Sequence, residues 1–236
     1  MKSFVKITKK WIVIFIFILL NTSFVFAKST KVFVKNGNIY LIKDEETIQI
    51  TKSGKDSAPI LSPDEKQIVF IRQVKPLEDN PYGLPPTDAG ITMGNWSPYE
   101  IWTVYLDEMV PRVLIKSHYH DIKNIKQDIG FFMDIIFSPD SKKIYFDGLP
   151  GTATTYTIHC ANRDGTEERW IYYGKLVDII KNKDDPYYGY LLIQKRSPHG
   201  AYDEFAVITP EGKVVETFPI DDEGEYIKEF WRKHRK

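Results

Sequence analysis

Phe131–Gly148 reads FFMDIIFSPDSKKIYFDG, and most of it has already occurred once in the chain, at Ala58–Ile71, APILSPDEKQIVFI. The shared core is Ser-Pro-Asp-x-Lys-x-Ile-x-Phe, with Ser62, Pro63, Asp64, Lys66, Ile68 and Phe70 matched by Ser138, Pro139, Asp140, Lys142, Ile144 and Phe146. Proline presets φ for the second position of a tight turn, and Asp and Ser bond nearby backbone amides. The apolar residues on either side alternate as those of half-buried strands do. Each copy is therefore a β-hairpin, and the fold is built from repeats of it.

Apolar strand, Ser-Pro-Asp-Gly-Lys, apolar strand is the pattern that these two stretches resemble, that of the TolB-like, WD-type β-propeller repeat of secreted and envelope proteins. Glu65 and Ser141 stand where that pattern has glycine, so a turn needing positive φ there is strained or of another type. The resemblance implies an all-β propeller that binds partners through its faces or central channel. It covers about half of the chain by motif and the rest by strand rhythm.

The rhythm extends in both directions. Upstream, KVFVKNGNIYLIKDEETIQITKSG carries three runs, Val32–Lys35, Asn38–Lys43 and Thr47–Lys52, and Asn36-Gly37 is a two-residue hairpin signal. The first repeat predicts strands at Ala58–Leu61, Gln67–Gln73, Glu100–Asp107 and Arg112–Ser117. The second predicts Met133–Phe137, Lys143–Asp147, Tyr156–Ala161 and Glu168–Tyr173. A weaker third copy runs through Leu176–Ile180, Tyr188–Gln194, Tyr202–Thr209 and Lys213–Phe218, with Pro210-Glu211-Gly212 as its last turn. In another register, Ser197-Pro198-His199-Gly200 would be the motif turn. A final run at Tyr226–Trp231 reads as a strand that supplies the missing inner strand of the first sheet. The prediction is a small propeller of four blades, each of four antiparallel strands, closed by the C-terminal strand. Five blades, or an open fragment completed by another subunit, are the competing readings.

Lys2, Lys6, Lys9 and Lys10 precede an apolar run, Trp11–Leu20, and Val25-Phe26-Ala27. This is the form of a secretory signal peptide over residues 1–27, with cleavage after Ala27, against retention as a membrane anchor. Cleavage leaves a single domain, Lys28–Lys236, with no stable membrane span and a secreted or extracytoplasmic location, periplasm or cell surface. The 236-residue chain carries 32 basic and 32 acidic residues. Removing the four leader lysines tips it acidic, which argues against a nucleic-acid partner. Cys160 is the only cysteine, so no internal disulfide forms, and with none near Ala27 the chain is not a lipoprotein.

Chemistry-bearing candidates are few. The stretch Val74–Tyr99 interrupts the first repeat with five prolines and offers Tyr82, Met93, Trp96 and Tyr99 as partner-binding residues, or else packs over its own blade. His118 and His120 have a spacing that holds a metal only with a third ligand. Asp64 and Asp140 lie in separate turns and cap amides rather than share acid-base work. Asp184-Asp185 and Asp221-Asp222 with Glu223 and Glu225 match a calcium loop loosely, and otherwise no cofactor or metal is expected. His159 and Cys160 are neighbours in a strand and face opposite ways. Catalytic signatures such as Gly-x-Ser-x-Gly and His-Glu-x-x-His are absent. The expected function is non-enzymatic binding of a protein or other envelope component. The alternative is an extracellular enzyme or glycan-binding module with its site at the central channel.

Overall fold

The computed structural model describes residues 30–74, 99–117, 129, 131–149, 156–196, 202–221 and 223–234. The leader lies outside them, as do Tyr82, Met93, Trp96 and His118–Asp121.

Sheet I is β1 (Lys31–Lys35), β2 (Asn38–Lys43) and β3 (Glu46–Gln49), paired antiparallel in that order. Its two turns, Asn36-Gly37 and Asp44-Glu45, have positive φ at both central residues, the twist that a two-residue hairpin demands. Glycine is required at 37 on a second count, since a Cβ there would strike the carbonyl of Gly54. Sheet II is β4 (Asp56–Leu61), β5 (Gln67–Gln73), β6 (Tyr99–Tyr105) and β7 (Arg112–Ile115).

The remaining strands are β8 (Phe131–Phe137), β9 (Lys143–Leu149), β10 (Thr157–Asn162), β11 (Arg169–Ile179), β12 (Leu191–Lys195), β13 (Glu204–Ile208) and β14 (Val214–Pro219). They pair in one continuous order, but β11 belongs to two sheets. Its first half, up to Tyr173, pairs with β10, and from Gly174 to Ile179 it pairs with β12. β8–β11 is thus sheet III and β11–β14 sheet IV, with the outer strand of one running straight into the inner strand of the next. Gly174 sits at the changeover, where a Cβ would come within 2.7 Å of the Gln194 carbonyl.

Three apolar cores lie between consecutive sheets. Ile39, Leu41, Ile68, Phe70 and Val104 fill the I–II joint. Val69, Ile101, Phe132, Ile144 and Phe146 fill II–III. Ile158, Cys160, Leu176, Leu191 and Ala206 fill III–IV. Strand alternation sends successive side chains to opposite faces, so β5 and β9 each feed two joints at once. The four sheets match the strands predicted from the sequence, and Lys181–Tyr190, not the Ser197 turn, joins β11 to β12.

The C-terminal run departs from expectation. Glu225–His234 is a helix, α1, and not a strand closing sheet I. Ile227, Phe230, Trp231 and His234 recur at helical spacing, and they cover the far face of sheet IV against Leu192, Phe205, Val207 and Phe218. The Asp221 carboxylate accepts from the Glu225 amide at 2.8 Å, an end signal that a strand would not use. Glu225 in the first turn and Arg232, Lys233 and His234 in the last suit the helix dipole.

Candidate interaction face

Up-and-down strands place the Ser-Pro-Asp turns at one end of the sheets and the connections between second and third strands at the other. At the first end the two motif turns share one geometry. Ser62 Oγ donates to Asp64 (2.6 Å) and accepts from the Gln67 amide (3.0 Å); Ser138 Oγ donates to Asp140 (2.7 Å) and accepts from the Lys143 amide (2.8 Å). The Lys66 and Lys142 amides donate to the same aspartates, the amide-capping role expected of Asp64 and Asp140. Pro63 and Pro139 sit at the second turn position in each. Glu65 and Ser141 have φ of 54° and 61°, the conformation that glycine relieves.

The turns also hold each other. The Asp64 amide donates to Ser141 Oγ at 3.0 Å, and Arg163 Nη1 contacts Asp64 Oδ2 at 2.7 Å. Arg163 Nε reaches Gln67 Oε1 (3.1 Å), while Gln67 Nε2 donates to Thr103 Oγ1 (2.8 Å) and to the Arg163 carbonyl (2.9 Å). Slight burial pushes Asp64 upward, but Ser62 and Arg163 outweigh it and hold the carboxyl below its ordinary value. This end is bound into itself and acts as a clasp between sheets II and III.

The opposite end is where the long connection leaves and re-enters, between Gln73 and Tyr99, which pair across β5 and β6. Tyr99, the described member of the expected partner-binding set, is half-buried and packs on Phe131 at 4.5 Å across the II–III joint. A matching pair, Tyr156 and Tyr202, spans the III–IV joint at 5.8 Å, and the Tyr202 hydroxyl accepts from the Tyr156 amide at 2.9 Å. Arg72 is bound to buried Asp56 (Nη2 to Oδ2, 2.9 Å) and lies 4.0 Å over Trp102, whose Nε1 donates to Glu100 at 2.9 Å. Four half-buried aromatic rings and an ordered guanidinium thus surround the roots of this end's connections.

Asp147 lies behind them and was not singled out by sequence reasoning. Its side chain is fully buried and accepts from the Asp134 amide (2.8 Å) on β8 and the Leu176 amide (3.1 Å) on β11. The Asp134 amide is freed by a bulge in β8, so the carboxylate fills a gap in the ladder. Burial dominates and pushes Asp147 up to about 7. The available signal was an acid in the apolar run IYFDG, where the first repeat has Ile71.

The other candidates have structural partners. His159 is buried, with Nδ1 2.7 Å from Glu168 and Nε2 3.0 Å from Thr157 Oγ1; Cys160 points the other way into the III–IV core, and burial raises its thiol pKa. Asp185 pairs with His234 Nδ1 at 2.7 Å, and Asp221 caps α1. Among the described residues no group of three His, Cys, Asp or Glu side chains is arranged to hold a metal ion, and no helix among them is long and apolar enough to cross a membrane.

Four successive antiparallel sheets packed on one another, with β11 serving as the outer strand of sheet III and the inner strand of sheet IV, are the architecture of a β-propeller. Several solved structures are similar to this chain. Puromycin hydrolase in its S511A form superposes with a TM-score of 0.51 at 13% identity, over 78% of this chain and 28% of that one. The propeller domain of the Trilobed protease from Pyrococcus furiosus aligns at 0.45 and 17% identity, over 71% of this chain and 43% of that one. TolB from Acinetobacter baumannii aligns at 0.33 and 15% identity, over 82% and 52%. The chain spans about half or less of the length of these proteins. No protein-family model and no curated protein sequence matches it.

Proposed function

We propose that this protein is an exported, non-enzymatic β-propeller of TolB-like type that binds a protein or another component of the cell envelope, with the Val74–Tyr99 connection as its principal contact. The observation that carries this reading is the difference between the two ends. The Ser-Pro-Asp end spends its polar groups on itself, whereas the other presents Tyr99, Phe131, Tyr156 and Tyr202 at the roots of its connections. Aromatic and Arg side chains of this kind are what interfaces use as anchors. Export rests on the basic, then apolar, then Val25-Phe26-Ala27 leader, and places the partner outside the cytoplasm.

The alternative, an enzyme or glycan-binding module with its site at the channel, has Asp147 in its favour, because displaced titration concentrates at functional sites. Both Asp147 oxygens are already occupied by backbone amides. The test is affinity capture from the host envelope, with the Lys28–Lys236 protein beside a version whose Pro76–Pro98 is replaced by a Gly-Ser linker. Retention of one protein by the first bait and its loss with the second is expected. Equal retention by both, or by neither, refutes the loop as the contact.

A further inference from the structure

Among the described residues, sheet I lacks one particular strand. A recurring hydrogen bond fixes which: the chain, on leaving an outer strand, donates an amide to the carbonyl just before the third strand of the sheet it leaves. Gly174 donates to Tyr156, ahead of β10 (3.0 Å), and Ile220 to Asp203, ahead of β13 (3.0 Å). In sheet I, Asp56 donates to Gly37, ahead of β2 (2.8 Å). β2 is therefore a third strand, β3 a fourth and β1 a second, and the first, inner strand is not among the described residues.

The gap shows in burial. Second strands of the other sheets are well covered: Gln67–Ile71 of β5, 144–148 of β9 and Leu191–Ile193 of β12 are buried without a break. β1 occupies the same place and has no buried residue, with Lys31 and Lys35 exposed and Val34 40% exposed. Its edge away from β2 has no paired strand among the described residues. The C-terminal run, which the sequence pattern suggested for this place, is instead spent as α1 on sheet IV.

We infer that the free edge of β1 takes an extended segment of a partner protein as the first strand of sheet I, and that this segment is apolar in alternation and acidic at its ends. Strand addition satisfies the unpaired backbone groups of an edge and reads alternate side chains. Val32 already packs on the I–II core, so an added strand with apolar residues on that face extends the same core. Exposed Lys31 and Lys35 bracket the edge and select acidic flanks. They also disfavour a second copy, because antiparallel self-pairing about Phe33 sets each Lys31 beside a Lys35. This surface is separate from the Val74–Tyr99 connection, and the inference stands whether or not that connection binds.

The test is fluorescence anisotropy of the purified protein with three labelled heptapeptides. One alternates Val and Thr between Glu ends, one has the same centre between Lys ends, and one has a Gly-Ser centre between Glu ends. The first should bind about tenfold more tightly than the second, from two favourable against two unfavourable cross-strand charge pairs, and N-methylation of its alternate amides should abolish binding. Lys31→Glu with Lys35→Glu, both exposed and remote from the core, should reverse the order of the first two. Equal binding of the Gly-Ser peptide, an unchanged order in the double variant, or a dimer by light scattering would each overturn the inference. So would binding of none of the three, which would mean that the chain covers its own edge.

Discussion

Arg163, in the turn between β10 and β11, reaches 99 residues back along the chain to place Nη1 2.7 Å from Asp64 Oδ2, so that the first Ser-Pro-Asp turn is held by the sheet that carries the second. Asp140, at the same position of the second turn, has as its cationic partner among the described residues Lys142 of its own turn, 3.6 Å away and exposed. Asp64→Ala should therefore cost more than Asp140→Ala, about 1–2 against about 0.5–1 kcal/mol, read from urea melts. A cycle with Arg163→Ala should return a coupling of about 0.5–1 kcal/mol for Asp64 and none for Asp140. The folded state holds Asp64 below its ordinary value, so this contribution is present at neutral pH and is lost as pH falls below about 4.

The positive φ values at Glu65 and Ser141 separate two substitutions toward the repeat's usual glycine. Glu65→Gly relieves left-handed strain at the cost of one exposed bond from Thr30 and should stabilise by about 0.5–1 kcal/mol. Ser141→Gly relieves the same strain but removes the acceptor for the Asp64 amide, so it should be neutral or destabilising. Equal gains in melting temperature would show that the Ser141 contact is idle.

Asp147 makes the joint of sheets III and IV sensitive to pH near neutrality. Its folded value of about 7 lies above the ordinary 3.8, so the unfolded chain ionises first. Stability should fall as pH rises from about 4 to about 7 and level off above, a loss of roughly 2–4 kcal/mol in total. Asp147→Asn, the isostere of the protonated acid, should flatten that slope, matching the native protein near pH 4 and exceeding it in stability above neutrality. A parallel slope in the variant would assign the effect to other groups.

Phe230 is the centre of the seat of α1, stacked on Phe218 at 5.2 Å and 4.4 Å from the ring of His234. Phe230→Ala should cost about 3–4 kcal/mol. Tyr226→Ala, on the same helix but 51% exposed, should fall within about 0.5 kcal/mol of the native protein. Deleting Glu225–Lys236 should cost at least as much as Phe230→Ala and expose Leu192 and Phe205 to dye binding.

Much of the fold was legible because its signals are local. Strand alternation and the turn chemistry of Asn36-Gly37 and Ser-Pro-Asp act over a few residues, so strands, turns and the allotment of strands to four sheets follow from the chain read in order. Tyr226–Trp231 misled because six residues with apolar positions at 227, 230 and 231 fit a strand end and a helical stripe alike. What chose the helix was the apolar face of sheet IV, together with His234 meeting Asp185 and Asp221 closing the first turn.

The site followed the same division. By itself the sequence determined a repeat of hairpins, an all-β chain with a single cysteine, and one proline-rich connection flanked by strands. Tertiary structure decided which end of the sheets is clasped shut, through Arg163 and Asp64, and which joint holds a buried acid, through Asp147. It also decided that β1 is a second strand whose first is not among the described residues. Those are relations between residues tens of positions apart, and their energies come from desolvation and hydrogen bonds that exist only once the sheets are stacked.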